Sequence, residues 1–164
     1  MTEKATASSL HIRPATEADI PRLVRMVNSA FSVETFLEGT RTDEPRLAAT
    51  MSKGKVLVAE DAEGQPLGCI YFEVRGARGY MGMLAVDPAR QGQGMGGLLV
   101  GAAEEELRRA RCQDVDICVL SLRPELLPLY RRFGFVESGT EEFSYGRTFR
   151  EPVECHLVVM SKAL

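Results

Sequence analysis

A strand-like run, a cluster of glycines and a long amphipathic stretch follow one another in the middle of this chain, and together they restrict its fold. YMGMLAV (80–86) is almost continuously apolar. RQGQGMGG (90–97) places four glycines in the six positions from Gly92 to Gly97. Leu98, Leu99, Ala102, Ala103, Leu107 and Ala110 then recur at helical spacing, which predicts a helix over about 94–111. VDICVL (115–120) reads as another strand. A strand, a helix of that length and a strand form a βαβ unit, so the two strands are expected to be parallel. Glycines cost backbone entropy, so a loop that keeps four of them must use them.

The rest of the chain follows a different rhythm. LHIRP (10–14) reads as a first strand, and TEAD (16–19) as a capping box ahead of a helix carrying Ile20, Leu23, Val24, Val27 and Phe31. A second helix is expected from about Glu44 to Ser52. KVLVAE (55–60), LGCIYFEV (67–74) and YMGMLAV are strands joined by short turns, hence antiparallel neighbours. The third is apolar on both faces, which suits the middle of a covered sheet, and Gly82 within it suggests a bulge or a close approach. RPELLPLYRRFGF (123–135) reads as a short helix ending at Gly134. FVES (135–138) and CHLVVMSK (155–162) are the last strands, separated by an irregular stretch with Phe143, Tyr145 and Phe149. Glu104–Arg108 and Glu105–Arg109 have the spacing of helix ion pairs. The expected fold class is α/β of the α+β type: a mixed, mostly antiparallel sheet of six to seven strands with one parallel crossover and about four helices. Residues 1–9 read as a flexible tail and 10–164 as a single domain.

Composition narrows the function. A net charge of −3 over 164 residues argues against a nucleic-acid or anionic-membrane binder. No apolar run is long enough to cross a bilayer, and the N-terminus lacks a signal peptide's apolar stretch. Cys69, Cys112, Cys118 and Cys155 stand singly, without metal-ligand spacing to His11 or His156. They read as buried free thiols of a cytoplasmic protein, with no metal.

Gly92–Gly97 also matches G-x-G-x-x-G, the dinucleotide fingerprint. That fingerprint puts its first glycine directly at a strand end, early in a two-half fold. Here Asp87 to Gln91 intervene, and only 67 residues follow Gly97. A Walker loop needs Gly-Lys-Ser/Thr, whereas Leu98 follows Gly97. What survives is a glycine turn at a helix start, whose free N–H groups and dipole suit a pyrophosphate.

Gln91-Gly92-Gln93-Gly94-Met95-Gly96, preceded by MLAV and DPAR, and Tyr130-Arg131-Arg132-Phe133-Gly134-Phe135 together resemble the GNAT superfamily of acyl-CoA-dependent N-acetyltransferases. The resemblance runs over about residues 10 to 162. It implies acetyl-CoA as co-substrate, bound by the loop Gln91, Gly92, Gln93, Gly94, Met95, Gly96 and Gly97 and by the strand backbone at Leu84, Ala85 and Val86. It implies transfer of the acetyl group to a primary amine of a small molecule or peptide by direct attack in a ternary complex. Tyr130 takes the family's position for the general acid. An N–H near Leu84 would polarise the thioester. Glu73 is the candidate base, acting directly or through a water, and Glu34 and Glu38 lie in the acceptor wall. Many relatives carry an Asn ahead of the Tyr helix to hold pantetheine; here Arg123 and Pro124 stand there. Homodimers are common in the family. An acyl-CoA-binding module without turnover, and less readily a nucleotide-dependent oxidoreductase, stay open as alternatives.

Overall fold

The computed structural model describes residues 10–143 and 147–164; the tail expected over 1–9, and Tyr145, lie outside the described residues. The strands are β1 (His11–Pro14), β2 (Lys55–Glu60), β3 (Pro66–Arg75), β4 (Arg78–Val86), β5 (Asp114–Leu120), β6 (Val136–Glu142) and β7 (His156–Ala163). The helices are α1 (Ile20–Ala30), α2 (Glu44–Lys53), α3 (Met95–Arg109) and α4 (Leu126–Arg132). Their starts follow local chemistry. The Thr16 amide donates to Asp19 at 2.7 Å ahead of α1, and the Arg46 amide donates to the Asp43 cap of α2 at 2.8 Å.

All seven strands form one sheet in the order β1-β2-β3-β4-β5-β7-β6. β4 and β5 are the parallel pair, as the βαβ spacing implies, and every other neighbour is antiparallel. β7 inserts between β5 and β6, an arrangement that strand patterns do not show. β6 runs to Glu142, beyond the expected Ser138, and all seven of its residues are exposed, so no buried face marks it in the sequence.

The sheet has a hydrophobic cluster on each face. Met95, Leu99, Val100, Ala103 and Leu107 of α3 pack on Ile70, Phe72, Met81, Val115 and Ile117, with α4 alongside. Ile20, Leu23, Met26 and Val27 of α1 and Leu47 of α2 pack on Val56, Val58, Cys69 and Tyr71 from the other side. β4 changes sides between these clusters. Gly82 pairs with Tyr71 and Ala85 with Cys69, so Met83 and Leu84 together oppose Ile70 alone. This is a β-bulge, and Met83 adopts φ +49° to make it. Met81 joins the α3 cluster, whereas Met83 and Ala85 join the α1 cluster and Leu84 and Val86 turn toward α3. Without the bulge, Met81 and Met83 would share a face. The bulge suggested by Gly82 therefore falls one residue later.

Two further details differ from the sequence reading. Arg109 pairs with Glu106 at 3.0 Å rather than with Glu105. Glu104 is buried, and besides Arg108 at 3.4 Å it takes Lys162 of β7 at 2.8 Å. The same ammonium donates to the Phe133 carbonyl at the end of α4, at 2.7 Å, so one lysine ties α3, α4 and β7 together.

α3 sits close against β4: a Cβ added at Gly79 would lie 2.7 Å from both methyls of the fully buried Leu107. Gly79→Val is expected to destabilise the fold by about 1–3 kcal/mol through overpacking, and Leu107→Ala by about 2–5 kcal/mol. The double variant is expected to cost less than the sum, because each change relieves the other. Urea unfolding midpoints measure all three.

Candidate active site

The parallel ladder between β4 and β5 is short. It joins Arg78 to Asp114, Gly79 to Val115 and Tyr80 to Asp116, and then stops. β4 continues to Val86 along β3, and β5 continues to Leu120 along β7, so the two strands diverge. The edge of β4 beyond Tyr80 thus has no ladder partner on its β5 side. A cleft of about 780 Å³ fills this gap. Met81–Val86 line one side and Ile117–Leu120 the other. On the α3 face its wall is Gly94–Gly97, Val100, Leu126, Tyr130 and Phe133; on the α1 face it is Ala30, Phe31, Glu34, Leu37 and Arg41. Along β4 buried residues alternate with half-buried ones from Gly79 to Val86.

At the cleft's glycine end, Asp87 accepts from the Ala89 amide and starts a single turn over Pro88–Arg90. The Gln91 side chain donates back to the Val86 carbonyl at 3.2 Å. Gly92 and Gly94 have φ of +80° and +83°, and a Cβ on either would meet nothing within 4 Å. Their left-handed backbone explains the glycine, and the open space beside them leaves room for a ligand. Gly96 and Gly97 serve differently: a Cβ at Gly97 would lie 3.4 Å from the Phe133 ring, and one at Gly96 3.8 Å from it. Both are ordinary contact distances, so these two positions face the Phe133 ring without requiring glycine. The first helical amide to bond back is Leu98, onto Gly94 at 3.2 Å, so those of Met95, Gly96 and Gly97 are left for a ligand at the helix start. Arg90 and Arg132 line the same region. Glycines, free amides, helix dipole and two guanidiniums together fit a pyrophosphate.

Tyr130 lies in the wall between the Phe133 and Phe135 rings, each 6.0 Å away and edge-on. Burial pushes its hydroxyl up to about 12, against a smaller downward pull from Arg123.

The expected site residues Leu84, Ala85, Val86, Gln91, Gly92, Gly94, Met95, Gly96, Gly97 and Tyr130 all line this cleft. Gln93 does not; its side chain is exposed. Glu73 does not line it either. It sits across the ladder from Tyr80, which does, and it accepts from the Tyr71 hydroxyl and the Arg75 guanidinium. Burial works to raise the Glu73 carboxyl, but these two donors outweigh it and hold it below the usual carboxylate range.

Arg41 gains importance only in the structure, and Glu34 and Arg123 gain their environment there. Glu34, which resembles a surface carboxylate in sequence, is 6% exposed and accepts from Arg123 at 2.9 Å. Arg41 and Arg123 line the cleft beside it. Partners 89 positions apart leave no periodic signal. The segment carrying Glu34 and Arg41 is fastened to the β6–β7 connection: the Glu38 amide donates to the Thr148 carbonyl at 2.8 Å, the Arg150 amide to the Phe36 carbonyl at 3.0 Å, and Leu37 bridges Phe149. The remaining chemistry is plain. The four cysteines are free, no group of metal-binding side chains occurs among the described residues, and no described helix is long and apolar enough to cross a membrane.

Comparison with known proteins agrees with this geometry. The chain is 31% identical over 86 residues to mycothiol acetyltransferase of Clavibacter michiganensis subsp. michiganensis, which covers 52% of this chain and 28% of the relative. It is 34% identical over 109 residues to "Probable glucosamine 6-phosphate N-acetyltransferase 2" of Oryza sativa subsp. japonica, covering 60% and 64% respectively. The chain thus spans about a third of the mycothiol acetyltransferases it matches. Among solved structures, ribosomal-protein-alanine N-acetyltransferase from Brucella melitensis superposes with a TM-score of 0.72 at 26% identity, over 94% of this chain and 99% of that one. A GNAT superfamily phosphinothricin acetyltransferase from Sinorhizobium meliloti, in complex with AcCoA, superposes with a TM-score of 0.72 at 20% identity, over 95% and 89%. The acetyltransferase (GNAT) domain model matches residues 52–137, from the end of α2 to the start of β6 and including the divergent strands and the glycine loop. The chain belongs to the GNAT acetyltransferase family.

Proposed function

We propose that this chain transfers the acetyl group of acetyl-CoA to an amine by direct attack in a ternary complex. One observation carries the reading: the unpaired edge of β4 opens onto a cleft that runs from a pyrophosphate-type glycine loop, past a half-buried tyrosine, to a polar end on the opposite face. The relatives' names support an amine acceptor, since they give glucosamine 6-phosphate and a ribosomal-protein alanine as what those proteins act on.

Acetyl-CoA supplies an acyl group already activated as a thioester. The chain's own residues do the rest. The loop amides from Gln91 to Gly97 hold the pyrophosphate, with Gln93 contributing only its backbone. The β4 backbone at Leu84, Ala85 and Val86 runs along the pantetheine arm in place of a ladder partner. An N–H near Leu84 donates to the carbonyl oxygen as charge gathers there. The acceptor nitrogen forms the new bond to the carbonyl carbon, the carbon–sulfur bond breaks, and Tyr130 hands its proton to the sulfur. The proton leaving the amine passes to solvent, with Glu73 reached only past Tyr80.

Thermal denaturation with millimolar CoA tests the loop. A ligand at a hundredfold excess over its Kd adds about 2.7 kcal/mol to stability, so Tm should rise clearly. In Gly94→Asp the rise should vanish, because the carboxylate projects into the space kept open beside Gly94 and repels the pyrophosphate. The fold itself should lose no more than about 1–2 kcal/mol, the cost of a left-handed residue. A Gly94→Asp protein that binds CoA normally would make the loop purely structural.

Free-thiol release from acetyl-CoA across a panel of amines tests the transfer. Amine-dependent release is expected; binding without release would make the chain an acyl-CoA-binding module. Tyr130→Phe should lower kcat by about 10²–10⁴-fold with CoA affinity nearly unchanged. A general acid is lost as pH rises through its pKa. With that value near 12, the wild type should show no alkaline loss of kcat from Tyr130 below about pH 10. A Tyr130→Phe enzyme with full single-turnover activity removes the hydroxyl from the mechanism.

A further inference from the structure

Among the described residues Glu34 is the one carboxylate that lines the cleft. It is buried, and only one of its oxygens is used. Oε2 accepts from Arg123 Nη1 at 2.9 Å. Oε1 accepts no hydrogen bond from the described residues; Arg147 Nη1 stands 3.9 Å from it. Arg147 does not line the cleft, and its Nε and Nη2 donate to the Glu38 and Gly39 carbonyls at 3.2 and 3.3 Å. No described side-chain oxygen is both sealed from solvent and without a hydrogen bond, so Oε1 is still reached by solvent. Arg123 is held from a second side by Glu125, which accepts from Nε at 2.8 Å, and this clamp fixes the Glu34 carboxyl in turn. Burial raises the Tyr130 hydroxyl and the Arg123 charge pulls it back, so the clamp and the general acid share one stretch of the cleft. The other carboxylates considered for the reaction are spent elsewhere. Glu38 accepts from the Thr148 hydroxyl, and Glu73 from Tyr71 and Arg75.

Resting on the acetyltransferase reading above, we propose that Glu34 binds the acceptor's amine: Oε1 accepts an N–H of the reacting nitrogen, and Arg123 is the positioning residue that fixes the carboxylate for it. Direct attack needs an uncharged amine whose lone pair faces the carbonyl carbon. An acceptor for an N–H on the far side of the nitrogen sets that orientation. Because Arg123 balances its charge, the carboxylate offers a lone pair without demanding a full positive charge in return. That suits a nitrogen about to attack. Glu34 holds the N–H and does not remove it; the proton leaves afterwards by the route to solvent given above.

A cycle that alters ligand and protein in turn isolates this contact. The CoA-saturated protein is titrated calorimetrically with the best acceptor of the amine panel and with the same molecule lacking the amine. The wild type should bind the amine about tenfold or more tightly, the worth of one hydrogen bond to a charged group. In Glu34→Gln that preference should vanish. Arg123 demands the amide oxygen, so the amide N–H₂ takes the place of Oε1 and meets the amine as a second donor. KM for the amine should rise in that variant with CoA affinity unchanged, and the CoA-dependent rise in Tm reports that it is folded. Arg123→Lys should keep part of the preference that Arg123→Gln loses, which decides the matter if Glu34→Gln does not fold. An amine preference that survives in Glu34→Gln, or in both Arg123 variants alike, overturns the proposal even where acetyl transfer proceeds. If no amine releases thiol, the transferase reading fails instead, and the cycle is run with whichever amine of the panel binds; if none binds, the proposal falls as well.

Discussion

The architecture turns on a parallel ladder that is only three pairs long. Beyond Tyr80 and Asp116, β4 stays with β3 while β5 stays with β7, each held by a long antiparallel ladder. Strand edges expose unmet N–H and C=O groups, and those of β4 face a cleft here rather than a neighbouring strand. The bulge at Met83 and Leu84 adds bend and twist to β4 at this point. It also sends Leu84 and Val86 toward the α3 face, so that the residues lining the gap change sides as it opens.

That gap joins the two faces of the sheet. The glycine loop, α3, α4 and Tyr130 stand on one face, and the end of α1 with Glu34 and Arg41 on the other. A cofactor arm and an acceptor can therefore meet through the sheet without sharing an entrance. Lys162 keeps the first face in place by pairing with the buried Glu104 and donating to the last turn of α4. Leaving Glu104 buried without that partner would be costly, which makes the placement of α4 depend on an ion pair as well as on packing. The second face is fastened by backbone bonds from Phe36 and Glu38 to Arg150 and Thr148.

The four glycines of the loop divide into two kinds of work. Gly92 and Gly94 supply left-handed backbone beside open space, whereas Gly96 and Gly97 lie in the first turn of α3 facing the Phe133 ring. A motif read as one object is thus a left-handed turn followed by the first turn of a helix. Charge divides in a similar way. Five charged side chains line the cleft, Arg90 and Arg132 near the loop and Arg41, Arg123 and Glu34 at the far end, so the lining is richer in arginine than the net charge of −3 for the whole chain suggests.

Much of this was written locally. Apolar periodicity placed α1 and α3, because a helix shows its buried face every three to four residues. Short turns made β2, β3 and β4 antiparallel, and the length of the α3 crossover made β5 parallel to β4. The glycine loop and the Tyr130 motif carried the family resemblance, since a helix start that meets a phosphate needs glycine at particular steps of the chain. Only the tertiary structure decided that β7 lies between β5 and β6, because β6 has no buried face to announce its pairing. It alone decided that Glu34 is buried against Arg123 and Arg147, and that Glu73 turns to Tyr71 and Arg75 instead of the cleft. A charged side chain reads as solvent-facing until a partner distant in the chain neutralises it, and long-range pairing leaves no trace in local spacing. The sequence by itself determined most of the elements and the glycine turn at the start of α3; the divergence of two strands and the meeting of distant charges decided where the cleft opens and what lines it.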